Sequence, residues 1–377
     1  MSTFARTNQE TAIDSIDLAV GPVCEPWSGV KRIGVVRGGG LGELLTAVPA
    51  LEALEAAYPQ AEIILLGEPP NARLLADRPG PVRRVIEHAK TVLVNGPANV
   101  AGARSNTCIG TPPVDLGVQL DGGGRWSDSA LLQLKPRLTV GTCNPDGPPL
   151  TRWLPYRHHQ HEVLRWLEIV GLAGAPPVRL HPHITVTDKD FAAAQQRIGA
   201  KGSPLIAIHP GACDPRRRWP ATNFAEIVTR CVRSGAHVLV IGSRLERALL
   251  TDIAGQACDQ LSATLATRIT ILDNSDLSTL CGVLALCDVL VGNESGLLQL
   301  AGAVDTPTVR ILWTDNAFNF SPLGRSRDRI LVSWTARCPV CGRDCSATNG
   351  SRCTHDVSFV SEIPATAVFD EIADLLS

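Results

Sequence analysis

Short apolar runs alternate with amphipathic stretches along most of this chain. The runs are rich in valine, isoleucine and leucine, and the stretches between them repeat apolar residues at helical spacing. This alternation is typical of a parallel sheet covered by helices. The first stretch predicts one long helix, with its apolar face at Leu41, Leu44, Leu45, Val48, Leu51 and Leu54. Strands of the first half are predicted at Arg32–Val36, Glu62–Leu66, Thr91–Val94, Leu116–Leu120 and Leu138–Val140.

The alternation stops once and then restarts. The segment Gly171–His183 is rich in glycine and proline and has no periodic pattern, as expected of an interdomain linker. We predict two doubly wound α/β domains, at residues 30–172 and 186–355, with the linker at 173–185. Strands of the second domain are predicted at Leu205–His209, His237–Ile241, Ile269–Leu272, Val289–Val291 and Val309–Leu312.

The two ends of the chain are predicted to lie outside these domains. Residues 1–29 have weak apolar periodicity and end in Gly-Pro and Glu-Pro-Trp, so we interpret them as an N-terminal extension. Residues 356–377 carry Val368, Ile372 and Leu375 at helical spacing. They predict a terminal helix with one apolar face that needs a partner surface.

Composition and charge narrow the class of protein. Of the 377 residues, 44% are hydrophobic and 19% are charged, and the formal net charge is −2. These values are typical of a globular protein and argue against a generally basic nucleic-acid-binding protein. No apolar stretch reaches the roughly 18–20 residues of a membrane-spanning helix, and the N-terminus lacks the apolar core of a signal peptide. We predict a cytoplasmic protein with at most peripheral membrane contact.

A glycine-rich turn follows the first predicted strand. The sequence VVRGGGLGELL, Val35–Leu45, leads from the strand into a helix. The dinucleotide-binding fingerprint G-x-G-x-x-G would require a third glycine where this chain has Glu43. A carboxylate there would repel a pyrophosphate, whereas it could accept a proton from a substrate hydroxyl. Glu43 is therefore a candidate general base, and a glutamate that only caps the helix is the alternative.

Two further polar turns follow strands of the second domain. After Leu205–His209 the chain carries Arg216–Arg218, whose guanidinium groups suit a diphosphate; a solvated basic loop is the alternative. After Val289–Val291 comes Glu294–Gly296, where backbone N–H groups at a helix start could bind an anion. A simply capped helix is the alternative there. All three turns follow the carboxyl ends of strands, where open α/β sheets bind ligands.

A cysteine-rich segment lies near the C-terminus. Its thiols have C-x2-C-x3-C-x7-C spacing, at Cys338, Cys341, Cys345 and Cys353, and His355 follows. Four thiolates could close a tetrahedral structural zinc site, and free or redox-labile thiols are the alternative. We predict no required cofactor.

Three segments together resemble the ADP-heptose:lipopolysaccharide heptosyltransferase family, glycosyltransferase family 9. They are RIGVVRGGGLGELLTAVPALEALEAAYPQAEIILL, IAIHPGACDPRRRWPATNFAEI and LCDVLVGNESGLLQLAGAVDTPTV. The resemblance runs from about Lys31 to the end of the chain. It implies the GT-B architecture, in which two Rossmann-like domains face each other across a cleft. It also implies an inverting, metal-independent transfer of a sugar from a nucleotide diphosphate sugar, with ADP-heptose favoured.

The resemblance implies roles for individual residues. Glu43 falls where the family has an aspartate proposed as catalytic base, and Arg217 falls on a phosphate-binding lysine. Glu246 matches a position that contacts the nucleotide ribose. Glu294 replaces an aspartate of the family, and Gln299 replaces a common histidine. The implied donor-binding residues are His209, Gly211, Ala212, Arg217, Glu246, Glu294, Ser295 and Gly296.

The acceptor is predicted to bind to the first domain. The segment Gln119–Trp126, QLDGGGRW, follows a strand there; Asp121 and Gly40 are the candidate acceptor-side residues, and a plain glycine-rich turn is the alternative. The resemblance implies an acceptor of the lipopolysaccharide-core type, and a small hydroxylated natural product is the alternative. Two other functional classes are a nicotinamide-dependent oxidoreductase, disfavoured by Glu43, and a non-catalytic nucleotide-sugar-binding protein of the same fold.

Overall fold

A computed structural model describes residues 20–69, 71–76, 78–87, 112–122, 125–143, 147, 149–199, 202, 204–324, 326–345 and 353–377. These residues form two six-stranded parallel sheets with helices packed against them, which confirms the predicted α/β class. The predicted strand Thr91–Val94 and most of the predicted N-terminal extension lie outside the described residues. No helix among the described residues has both the length and the hydrophobicity needed to cross a membrane.

The two sheets have the same strand order. In the first, β1 to β6 are arranged β3-β2-β1-β4-β5-β6, and in the second, β7 to β12 are arranged β9-β8-β7-β10-β11-β12. The first sheet comprises β1 Arg32–Arg37, β2 Glu62–Gly67, β3 Val82–Glu87, β4 Leu116–Gln119, β5 Leu138–Cys143 and β6 Arg152–Pro155. The second comprises β7 Leu205–His209, β8 His237–Gly242, β9 Ile269–Asp273, β10 Val289–Asn293, β11 Thr308–Trp313 and β12 Asp328–Ser333. This is the doubly wound order, which reverses direction between β1 and β4 and between β7 and β10.

Helices connect the strands of each sheet. Those of the first half are α1 Leu41–Thr46, α2 Val48–Ala57, α3 Asn71–Ala76, α4 Arg125–Gln133 and α5 Glu162–Gly171. Those of the second half are α6 Asp188–Ile198, α7 Ala221–Arg233, α8 Arg247–Cys258, α9 Ala263–Ala266, α10 Leu277–Ala285, α11 Gly296–Ala303, α12 Thr314–Phe320 and α13 Ala365–Leu376. Residues 172–187, between α5 and α6, form neither helix nor strand. The domain boundaries at 172, 185 and 355 stay predictions.

Pro49 divides the long helix that the sequence predicts. The structure has two helices there, with Ala47 as the C-cap of α1 and the N-cap of α2. Pro49 is the second residue of α2, where a missing backbone N–H is tolerated; within one continuous helix it would remove a hydrogen bond and clash with the preceding turn. The short α1 therefore ends just after the glycine-rich turn.

The two halves pack directly against each other. Apolar side chains of α1, including Leu44 and Leu45, belong to the same buried cluster as Leu297 and Leu300 of α11. Arg78, which follows α3, also forms an ion pair with Asp190 of α6, with an N–O distance of 3.1 Å. The terminal helix α13 packs on α7, and its predicted apolar face is confirmed because Val368 and Ile372 are buried.

Candidate active site

The predicted turns lie at the points where the two sheets reverse their strand order. Glu43 follows β1 and Asp121 follows β4, the two strands at the reversal of the first sheet. His209 ends β7 and Glu294 follows β10, the corresponding strands of the second sheet. Ligands of doubly wound sheets bind in the crevice at such a reversal.

A cleft of about 340 Å³ joins the two halves at these points. Glu43 and Asp121 line it from the first half and Arg217 lines it from the second, so the structure brings a candidate base and a candidate phosphate ligand into one cavity. A larger cavity of about 530 Å³ lies between residues 178–182 and the second half. Neither Glu43 nor Arg217 lines that larger cavity, so we place the candidate site in the smaller cleft.

The N-terminal ends of α1 and α11 meet beside this cleft, with backbone close to backbone. A Cβ on Gly296, the first residue of α11, would lie 3.0 Å from the backbone nitrogen of Gly42 and 3.0 Å from the Cβ of Leu41 in α1. Glycine at both positions lets the two backbones approach closely. The contact places Glu43, one residue further along α1, next to the Ser295–Gly296 turn.

The glycine-rich turn fits closely around the side chain of Glu43. Gly39 has a φ of +90°, a value that favours glycine. A Cβ on Gly40, the N-cap of α1, would lie 3.0 Å from Oε2 of Glu43. Substitution of either glycine would therefore disturb the carboxylate.

A buried arginine links the acidic side chains of the first half. Nε of Arg37 donates to the backbone oxygen of Glu43 at 2.8 Å, and its Nη1 lies 3.6 Å from Oδ1 of Asp121. Its Nη2 lies 3.8 Å from Oε2 of Glu162, which also pairs with Arg165. Burial raises the pKa of Glu162, and the two arginines counteract that rise. This network fixes the wall that the first half contributes to the cleft.

The loop after β7 packs on Glu246. Burial lowers the pKa of His209, and its Nδ1 lies 3.0 Å from the backbone oxygen of Ile241, so the neutral ring donates through Nδ1. A Cβ on Gly211 would overlap Oε1 of Glu246, whose Oε2 accepts hydrogen bonds from Ser243. The structure thus brings His209, Gly211 and Glu246 together, although none of the three lines the 340 Å³ cleft.

Three buried polar atoms near the cleft have no hydrogen-bond partner among the described residues. They are Nε of Arg217, Oγ of Ser295 and Oδ1 of Asn316. Another guanidinium nitrogen of Arg217, Nη2, donates to Asp315 at 2.6 Å. Unpartnered buried polar atoms are rare in folded proteins and costly unless a ligand satisfies them. Arg217 and Asn316 both line the cleft, and their unpartnered atoms indicate a polar ligand there.

The carboxylate of Glu294 faces the protein interior. Its Oε1 accepts from Nε2 of Gln299 at 2.7 Å, and its Oε2 lies 3.4 Å from Nη1 of Arg310. Burial raises the pKa of Glu294, and Arg310 opposes that rise. The carboxylate is therefore held by internal partners, and its predicted contact with the donor stays a prediction.

The cysteine cluster differs from the predicted set of four thiols. The ligand atoms that lie within 4.8 Å of one another belong to Cys338, Cys341, Cys353 and His355. Cys345 lies outside this group, with its Sγ 3.8 Å from that of Cys353. The backbone N–H groups of Cys341 and Val340 help to lower the pKa of Cys338 to about 6. Three thiolates and one imidazole suit tetrahedral Zn²⁺ or iron.

The segment after these cysteines supports the arginine-rich loop. The backbone nitrogen of Phe359 donates to the backbone oxygen of Arg216 at 2.7 Å. Nε1 of Trp219 donates to the backbone oxygen of Ile363 at 2.9 Å. The cluster is therefore connected through short contacts to the loop that carries Arg217.

Among the residues that line the cleft, those that sequence reasoning missed include Arg37, Glu162, Asp315 and Asn316. Asp315 and Asn316 lie in the first turn of α12, just after β11 ends at Trp313, so the rule that polar residues after parallel strands form sites would have found them. No pattern in the sequence indicated Glu162, because it begins the amphipathic helix α5 and does not directly follow a predicted strand.

Comparisons with known proteins agree on one family. The sequence model of the family described as "Glycosyltransferase family 9 (heptosyltransferase)" matches residues 151–349, just over half of the chain. Lipopolysaccharide heptosyltransferase 2 of Salmonella typhimurium is 26% identical over 164 residues, which are 41% of this chain and 44% of that relative. This chain therefore spans less than half of that curated relative's length in the alignment.

Solved structures share the whole fold. A glycosyltransferase family 9 protein from Veillonella parvula has a TM-score of 0.72 at 16% identity, over 92% of this chain and 97% of that one. ADP-heptose lipopolysaccharide heptosyltransferase II of Escherichia coli has a TM-score of 0.67 at 19% identity, over 92% and 98%. These likenesses confirm the expected GT-B architecture. With the family match, they establish that the chain belongs to glycosyltransferase family 9, the heptosyltransferase family.

Proposed function

We propose that this chain transfers a heptose or related sugar from a nucleotide diphosphate sugar to an acceptor hydroxyl. ADP-heptose is the favoured donor, and a glycan of the lipopolysaccharide-core type is the favoured acceptor. The observation that carries the proposal is the shared cleft of Glu43 and Arg217 between two facing sheets. The family relationship and the activities of the similar heptosyltransferases support the sugar and the acceptor class.

The second half holds the donor. Arg217 and the Ser295–Gly296 turn bind the diphosphate, and Glu246 faces the ribose beside Gly211. Unpartnered atoms of Arg217 and Ser295 offer hydrogen bonds to phosphate oxygens. Donors fixed in this way stabilise the negative charge that develops as the nucleotide diphosphate leaves. No metal ion is needed for that step, because guanidinium and backbone N–H groups supply the positive charge.

The first half activates the acceptor. Glu43 removes the proton of the attacking hydroxyl, while Arg37 and Asp121 shape the wall on which the acceptor lies. Attack from the face opposite the leaving diphosphate inverts the anomeric centre. Packing of the two halves keeps water away from the donor.

A transfer assay tests the proposed function. The purified chain is incubated with ADP-heptose and either a lipopolysaccharide-core acceptor or a set of small aminocyclitols, and products are identified by mass spectrometry. We expect stoichiometric ADP release and addition of one sugar to the core acceptor, with an inverted anomeric coupling by NMR. Sugar addition to the small acceptors alone would show that the acceptor is a small hydroxylated molecule and not a lipopolysaccharide-core glycan. Donor binding without any transfer would favour a non-catalytic binding protein.

Replacement of Arg217 tests the donor site. We expect Arg217→Met to weaken ADP binding by about 10- to 100-fold, since hydrogen bonds to charged groups contribute about 1.5–3 kcal/mol. Isothermal titration calorimetry measures the affinity. Arg230→Met is the matched control, because Arg230 pairs with Glu226 on the surface of α7. Equal ADP affinity in the two variants would contradict the role of Arg217.

Replacement of Cys341 tests the cysteine cluster. Where a metal is bound, Cys338, Cys341, Cys353 and His355 hold it, and it supplies structural support below the arginine-rich loop. We expect Cys341→Ser to lower bound zinc or iron from about one ion per chain to near none, measured by elemental mass spectrometry, together with a lower Tm. Cys258→Ser, outside the cluster, is the control. Unchanged metal content in Cys341→Ser would show that these residues hold no ion.

A further inference from the structure

Asn316 presents an unsatisfied amide to the cleft. Its side chain is buried, with 3% of the residue exposed, and it lines the same cavity as Glu43 and Arg217. Its Oδ1 has no hydrogen-bond partner among the described residues. A buried amide in this state lowers stability, and a folded protein retains such a cost where a ligand completes the bond.

The helix that carries Asn316 is held in place on both sides. Asp315 pairs with Arg217 of the arginine-rich loop. Nδ2 of Asn319 donates to the backbone oxygen of His158 at 3.0 Å, across the boundary between the two halves. The backbone oxygen of Phe320 accepts from Gln299 at 2.9 Å. The Asn316 amide is therefore positioned by fixed neighbours and does not depend on a mobile loop.

The position of Asn316 limits what it can contact. Under the proposed function, the diphosphate lies at Arg217 and the attacking hydroxyl lies at Glu43. The transferred sugar must then occupy the space between them, in the cavity that Asn316 lines. An amide offers both a hydrogen-bond acceptor and two donors, which matches the hydroxyl groups of a sugar.

We propose that Asn316 binds a hydroxyl of the transferred sugar and thereby selects which sugar the enzyme accepts. This inference rests on the proposed function. A site that hydrogen-bonds a substrate hydroxyl rejects analogues that lack it, because the protein's polar group is then left unpaired. Asn316 contributes to binding of the sugar, whereas the loop after β7 and the Ser295–Gly296 turn bind the nucleotide.

The test compares ADP with ADP-heptose as ligands of the full chain. We expect Asn316→Leu to bind ADP as the unmodified chain does and to bind ADP-heptose about 5- to 10-fold more weakly, as loss of one hydrogen bond predicts. The ligand-free variant should have an equal or higher Tm, because leucine removes the unpartnered amide. Asn316→Asp, which keeps the size and an acceptor oxygen, is the second variant. Phe318→Leu, on the exposed side of the same helix, is the control.

Deoxy analogues of the sugar then identify the hydroxyl. The analogue that lacks the bound hydroxyl should bind equally to the unmodified chain and to Asn316→Leu, whereas the other analogues keep the difference. Equal losses for ADP and ADP-heptose would assign Asn316 a purely structural role and overturn the inference, as would no loss for either. Failure of the unmodified chain to bind any nucleotide would instead overturn the proposed function, and this inference with it.

Discussion

Glu43→Gln is expected to lower turnover by at least about 100-fold and to leave ADP-heptose affinity within about twofold. A general base contributes about 10²- to 10⁴-fold to the reaction rate and little to donor binding. Glutamine keeps the size of the side chain and its place over the glycine-rich turn, where a Cβ on Gly39 or Gly40 would crowd it. Turnover is measured by ADP release under saturating donor and acceptor, and affinity by calorimetry.

Two further variants make this result specific. Glu43→Asp keeps a carboxylate and should retain more activity than Glu43→Gln, since it matches the residue that the family resemblance implies at this position. Glu68→Gln removes a carboxylate after the neighbouring strand β2 and should leave turnover unchanged. Near-normal turnover of Glu43→Gln, or an equal loss in Glu68→Gln, would remove Glu43 from the mechanism.

Arg310→Met is expected to lower the free energy of unfolding by about 3–5 kcal/mol, because removing Arg310 leaves the buried carboxylate of Glu294 without compensation. Arg310 is buried; its Nη1 lies 3.4 Å from Glu294, and its Nη2 lies 3.3 Å from Asp328. Urea denaturation measures the change, as a shifted midpoint at constant slope.

The matched control is an exposed ion pair of the same residue types. Arg83 lies 2.7 Å from Glu55 at the surface, so Arg83→Met should cost less than about 1 kcal/mol. Adding Glu294→Gln to Arg310→Met should recover part of the stability, because it removes one of the uncompensated charges. A cost for Arg310→Met no larger than that for Arg83→Met would show that the network around Glu294 does not support the turn.

The central strands were predictable from sequence, and three edge strands were not. Strands such as Val289–Asn293 are buried on both faces and read as continuous apolar runs. The missed strands β3, β6 and β12 lie at sheet edges. They are short or carry charged residues, as in VRRVIE, so neither hydrophobicity nor alternation distinguishes them from loops.

The sequence placed candidate groups at strand ends but did not determine where their side chains point. Glu294 follows β10 as predicted, yet its carboxylate pairs with Arg310, a partner on β11 that only the sheet order brings near. His355 lies in the cysteine cluster in place of Cys345, which the spacing of the cysteines along the chain did not indicate. Spacing along the chain orders the thiols, whereas loop geometry decides which donor atoms converge.

The close contact between Gly42 and Gly296 joins the N-terminal ends of two helices. Backbone N–H groups at the start of a helix carry partial positive charge, and a second helix start beside the first adds to it. The helix starts therefore add positive potential to that of the Arg217 guanidinium in the adjoining cleft, and they offset part of the negative charge of Glu43. A chain with a formal net charge of −2 can thus attract a multiply charged anion to this one place, which its net charge alone does not indicate.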